Sequence, residues 1–199
     1  MTEQTVVARG ATYRDVLDAP EHMVAEIVGG VLHLHPRPRS RHARVASALG
    51  RLVGGPFDYD PAGPGSWWIL DEPELHLGRD VLVPDLAGWR RGRMPVLEDV
   101  AYFEMAPDWV CEVLSPATRA RDRGAKRDLY GARGVGHLWL VDPEDRQVEA
   151  FERRDEAWVL RLTAGGEDRV ALPPFEVAEL DLAPLWLPPA PDEAAPDER

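Results

Sequence analysis

Lysine is nearly missing from this chain: of 23 basic residues, Lys126 alone is a lysine and the rest are arginines. Cysteine is equally scarce. Cys111 has no partner in the chain, which excludes an intrachain disulfide and suits a reducing compartment. Histidine and cysteine clusters with zinc spacing are absent, which argues against a zinc site. No apolar run approaches the roughly 20 residues a membrane span needs. The opening MTEQTVVARG has neither a basic nor an apolar leader segment, so no signal peptide is expected and the expected location is cytoplasmic. Positive charge is in deficit as well. A net charge of −12 argues against broad, tight, nonspecific binding to nucleic acid.

What is present is ordinary for a globular protein. The 199 residues are 44% apolar and 29% charged, enough for one domain with a real core over residues 1–187. The last residues, 188–199, form an acidic Pro-rich tail expected to be disordered. No internal repeat is visible. Arginines gather in three segments, at 37–51, 90–93 and 119–127, while acids crowd the C-terminal third. Such a pattern permits a basic face on an acidic body; separately solvated arginines are the other reading.

Along the chain, 11–19 reads as a short helix capped by Thr12. VAEIVGGVLHLH, 24–35, reads as a hairpin turning at Gly29-Gly30. Glu26 is then a carboxylate on an apolar strand, either at an edge in water or paired inside. Ser40 is expected to cap a helix of about 14 residues ending at Gly54-Gly55, with His42, Ala46, Leu49 and Val53 on one face, and His42 reads as a structural histidine. Residues 56–66 read as a loop, 67–77 and 80–89 as strands, and 96–105 as a short helix. Pro84 interrupts the second strand and marks an edge or a bulge, a feature often found beside active sites. Tryptophans 67, 68, 89 and 139 read as core rather than as base-stacking platforms. Strands near 147–153 and 157–163 close the domain.

The stretch 107–143, PDWVCEVLSPATRARDRGAKRDLYGARGVGHLWLVDP, organises the rest. It reads as a strand, a turn, a helix capped by Asp122 and stopped at Gly134, and a second strand at 137–142. Asp122, Lys126 and Tyr130, four apart, line one side of that helix. A chain that uses arginine everywhere else needs a compact point charge at Lys126, unless that lysine merely pairs with Asp122 at the surface. Asp85 and Glu112 share a signature: each is the lone carboxylate in a strand apolar on both faces. Two such anions close together escape repulsion by sharing a proton or by binding a cation. Oxygen donors of this kind suit Mg²⁺ or Mn²⁺. With a lysine beside it, such a site can hydrolyse phosphodiesters.

VPDLAGW at 83–89 and the central stretch, with AEIVGGVL at 25–32 and SRHARVASAL at 40–49, resemble the Uma-two family of restriction endonucleases, within the PD-(D/E)xK nuclease superfamily. The resemblance covers roughly residues 11–187. It implies an α/β fold with an αβββαβ core, a mixed sheet flanked by helices, an N-terminal β-hairpin and C-terminal strands. It also implies that Asp85, Glu112 and the Val113 carbonyl hold metal, and that Lys126 has moved to the helix from the usual place, where Leu114 stands. Glu26 matches an additional catalytic acid, while His42, Asp122 and Tyr130 take supporting places. Gly29 stands where an acidic or Asn turn residue is usual, and Leu138 where Tyr is usual. The expected activity is a Mg²⁺- or Mn²⁺-dependent DNA endonuclease, with Arg39, Arg41, Arg119 and Arg121 on the nucleic acid and a homodimer by analogy. The alternative is a non-catalytic nucleic-acid-binding or protein-interaction module on the same fold. A weaker one is hydrolysis of RNA or branched substrates.

Overall fold

The computed structural model describes residues 5–60 and 66–188. Part of the loop expected at 56–66 and nearly all of the acidic tail lie outside that range. A short strand that the pattern does not announce, β1 (Thr5–Arg9), comes first. Helix α1 (Tyr13–Leu17) follows its expected start, where the Thr12 amide and hydroxyl both donate to Asp15 Oδ2, at 2.7 and 2.9 Å. The hairpin is β2 (Met23–Val28) and β3 (Val31–Pro36). Its turn requires the left-handed backbone of Gly29 and Gly30, at φ +61° and +74°. Helix α2 (Ser40–Gly54) has Arg39, not Ser40, in the cap position, and no side chain caps it. It runs on into a π-helical turn, Gly55–Tyr59, where a loop was expected.

The two strands expected over 67–89 are each broken in two. β4 (Trp67–Asp71) and β7 (Leu86–Arg90) belong to one sheet, and the hairpin β5 (Leu75–Leu77) and β6 (Asp80–Leu82) to another. Pro84 has no amide for a ladder, so the return strand lets go at Val83-Pro84-Asp85 and re-pairs from Leu86. The outward crossing turns at Glu72, which is left-handed at φ +47° and donates its amide to the Asp85 carbonyl at 3.1 Å. Asp85 therefore sits in the joint between two sheets, not inside a strand. Residues 96–105 do not form the expected helix. Phe103 exchanges backbone hydrogen bonds with Glu74 and His76, each 2.9 Å, and tertiary pairing overrides the local preference.

Next come β8 (Trp109–Val113), a helical segment over 119–132, β9 (His137–Asp142), β10 (Gln147–Arg154) and β11 (Ala157–Gly165). The six-stranded sheet runs β11-β10-β9-β8-β7-β4. Only β8 and β9 are parallel, joined by the helical crossover. The other sheet runs β1-β3-β2-β6-β5. Alternation along β8 builds two cores. Trp109, Cys111 and Val113 pack with Val45, Leu49 and Val53 of α2 and with Phe175. Val110 and Leu114 face the other way, toward Tyr130 and toward Leu75, Leu77 and Leu82 of the second sheet. Trp67, Trp89 and Trp139 are buried in these cores as expected, and Trp68 is covered by Arg91, 3.7 Å from its ring.

Candidate active site

Glu112 projects from the same face of β8 as Val110 and Leu114, into the gap between the two sheets and the crossover helix. That helix begins at Thr118, where Asp122 was expected to cap it. The Arg119 amide bonds to the Ser115 carbonyl at 2.9 Å, and the Thr118 and Ser115 hydroxyls lie 3.0 Å apart. It comprises α3 (Arg119–Arg121), a π turn over Asp122–Lys126, and α4 (Arg127–Ala132). It stops as expected at Gly134, left-handed at φ +87°. In an α-helix, residues five apart point about 140° away from each other. The wider i→i+5 turn brings them to one side. Arg121 and Lys126 consequently both face inward, together with Asp122 and Tyr130.

Lys126, 2% exposed, is not a surface partner of Asp122, whose Oδ1 is 4.0 Å away. Its ammonium lies 2.7 Å from Glu112 Oε1 and 2.8 Å from Glu26 Oε1. The Tyr130 hydroxyl donates to Glu112 Oε1 at 2.6 Å. Glu26, fully buried, is not on an edge, because β2 lies between β3 and β6. Its Oε1 also accepts the Val83 amide at 3.0 Å. Its Oε2 faces Arg121 at 2.8 Å and His35 Nε2 at 3.3 Å. Asp85 accepts the Val113 amide through Oδ2 at 2.7 Å, and its Oδ1 lies 3.2 Å from His42 Nε2. His42 thus faces Asp85 on the cavity wall and not the α2 core.

All of these side chains except Tyr130 line one cavity of about 60 Å³, with Ser115, Thr118 and Glu72 at its wall. Burial pushes the Glu112 carboxyl up to about 8; Lys126 opposes this, and the charges of Asp122, Asp85 and Glu26 add to it. Burial raises Asp122 too, and its Oδ1 has no hydrogen-bond partner. Burial would also raise Glu26, but Lys126, His35 and Arg121 outweigh it and hold that carboxyl well below the usual range. Burial disfavours the charged Lys126, yet Glu112, Glu26 and Asp122 together keep the ammonium above its ordinary pKa. For His42 the Asp85 hydrogen bond and charge likewise overcome burial and raise it.

Five acidic side chains, Glu26, Glu72, Asp85, Glu112 and Asp122, thus line a cavity that holds two fixed cations, Lys126 and Arg121, and the orphaned Asp122 oxygen is part of the surplus. Among the described residues no three His, Cys, Asp or Glu side chains stand ready as a metal cage. Asp85 and Glu112, with water and a carbonyl, still fit a hard dication, which usually keeps several waters and uses one or two carboxylates. Both oxygens of Glu26 are engaged, Oε1 by Lys126 and the Val83 amide and Oε2 by Arg121 and His35. Arg121, 8% exposed, is held by Glu26 on the wall of the cavity. Arg119 is drawn to Asp142 Oδ2 at 2.8 Å and Glu144 at 3.2 Å, while Arg39 and Arg41 are exposed. Sequence reasoning missed His35 and the inward turn of Arg121. His35 was legible, because the two-residue turn sets it opposite Val24 and diagonal to Glu26.

A family model described as "Uma2: Putative restriction endonuclease" matches residues 11–183. The fold is similar to a crystal structure of a "putative nuclease belonging to DUF820" from Anabaena variabilis. The TM-score is 0.67 at 22% identity, covering 88% of this chain and 97% of that one. None of the curated proteins compared with the chain matches it. No helix among the described residues is long and apolar enough to cross a membrane.

Proposed function

Since this chain belongs to the Uma2 restriction-endonuclease family, we propose that it is a divalent-metal-dependent nuclease that hydrolyses phosphodiester bonds, with DNA as its substrate. The observation that carries this reading is the surplus of carboxylate around one small cavity, with Asp85 and Glu112 reaching it from the joint before β7 and from β8. These two residues would hold Mg²⁺ or Mn²⁺, which when bound polarises the phosphodiester and lowers the pKa of an attacking water. His42 and the Val113 amide fix the two oxygens of Asp85. Tyr130 fixes Glu112. Lys126 would stabilise charge developing on the phosphate or orient the water. Glu26 would anchor Lys126.

The test is cleavage of a panel of double- and single-stranded DNA and RNA, with Mg²⁺, Mn²⁺ or EDTA. Asp85→Ala is expected to lower the rate by at least about 10²-fold, while circular dichroism and thermal unfolding stay those of a folded protein. Undiminished cleavage in that variant, or in excess EDTA, overturns the proposal. So does salt-dependent DNA binding by wild-type protein that cuts no substrate, the behaviour of a non-catalytic module.

A further inference from the structure

We propose that Arg121 is a positioning residue: its guanidinium occupies one side of Glu26 so that Lys126 is shared with Glu112 instead of being captured by Glu26. The site contains one ammonium and two carboxylates that compete for it, Glu26 Oε1 at 2.8 Å and Glu112 Oε1 at 2.7 Å. Once Glu112 is ionised, two buried carboxylates and one lysine leave a net negative charge in a region of low polarisability, where an unpaired ion is costly. Arg121 supplies the missing cation. It lies 2.8 Å from Glu26 Oε2, with Nε 3.7 Å from Asp122 Oδ1, and it reaches both because the π turn puts it on the Lys126 side of the helix. A planar fork is suited to holding a carboxylate in one orientation. Held by Arg121, His35 and the Val83 amide, Glu26 meets Lys126 through one oxygen only. The ammonium keeps a donor for Glu112.

The kinetic part of this inference rests on the nuclease reading; the spectroscopic part does not. Lys126 is the only lysine, so ¹⁵N-lysine labelling yields one side-chain ammonium resonance that needs no assignment. At fixed pH, metal-free wild type is expected to show a single exchange-protected signal. Arg121→Gln is expected to shift it or to lose it to exchange with water. If Arg121 acts through Glu26, the signal in Glu26→Gln is the same as in the Glu26→Gln/Arg121→Gln double variant. That comparison holds even if Arg121→Gln alone, which strands a buried carboxylate, fails to fold. A signal unchanged by Arg121→Gln, or singles that add in the double variant, overturns the proposal.

In cleavage assays Arg121→Gln should lower kcat by roughly 10²-fold, as for a misplaced catalytic group, with KM and salt dependence unchanged. Arg121→Lys should restore part of that loss. A raised KM and a shallower salt dependence at unchanged kcat would instead make Arg121 a contact to the nucleic acid. A wild type that cuts nothing defeats the nuclease reading alone and leaves the lysine resonance to decide the role of Arg121.

Discussion

Glu112, 3% exposed, faces the Lys126 ammonium and the Tyr130 hydroxyl, and its carboxyl is nonetheless pushed from 4.5 up to about 8. Between those values the folded protein holds a proton that the unfolded chain has released. The stability this contributes is complete below about 4.5 and is lost as the pH rises through about 8. Glu26 has the opposite sign, and its contribution is present at neutral pH and lost only in acid. A cation bound at Glu112 must displace the proton, so its stabilising effect should grow across the same window. The expected result is that the rise in Tm caused by Mg²⁺ is larger at pH 8.5 than at pH 6. Metal-free Glu112→Gln should gain on wild type over that range and lose the Mg²⁺ response. A response to Mg²⁺ equal at both pH values, or kept in Glu112→Gln, would place the cation elsewhere. That Glu112, Asp85 and Lys126 stood out in the sequence has a physical basis. A lone charge among apolar strand residues must be compensated by something, and a lone lysine among arginines answers a need for a point charge. Arg121 was expected on the nucleic acid and not beside Glu26, because one arginine among 22 carries no contrast that marks it for the interior.

The helical crossover shows why elements are easier to read than their interiors. Its stop at Gly134, its flanking strands and the inward stripe of Asp122, Lys126 and Tyr130 all follow from spacing. The π turn does not, because four-residue periodicity cannot register one added residue. The break at Pro84 was legible as an interruption, but its consequence, a chain that leaves one sheet and joins another, depends on the partner strands. The absent helix at 96–105 fails for the same reason: Phe103 finds a backbone partner at Leu75 that no local pattern reveals. Gly124, in the middle of the π turn, has ordinary backbone angles, and a β-carbon there would meet nothing within 4 Å. Its conformational freedom is therefore a cost of folding and not a requirement of the turn. Gly124→Ala should stabilise the protein by about 0.5–1 kcal/mol in urea unfolding, with the Lys126 ammonium resonance unmoved. Destabilisation, or a shifted resonance, would show that the wide turn needs glycine and that the inward pose of Arg121 depends on it.

For the whole molecule the obstacle is charge. A protein at −12 approaching a polyanion is repelled at long range, so attraction must come from a few exposed cations near the cavity. The arginine clusters seen in the sequence do not supply a continuous basic face. Arg91 is paired with Asp58 at 2.7 Å, Arg93 with Asp108 at 2.7 Å, and Arg119 with Asp142 and Glu144. Arg37, Arg39 and Arg41 differ in position: all three are exposed, and they alternate along the chain with Pro36, Pro38 and His42 and flank Ser40, on a segment whose prolines and histidine line the cavity. On the proposed reading these exposed cations would meet the phosphates of a nucleic acid at the opening. Replacing all three by alanine should weaken DNA binding, measured in EDTA so that nothing is cut. It should also flatten the dependence of log K on log salt by roughly 0.9 for each duplex phosphate that is no longer neutralised, or 0.7 on single strands. With Mg²⁺ restored, KM should rise and kcat should hold, since none of the three lies among the groups around Lys126. Arg119→Ala should change the slope far less, because Asp142 and Glu144 already hold that guanidinium. Equal flattening by Arg119→Ala, or none by the triple variant, would move the nucleic-acid path away from the N-terminal end of α2.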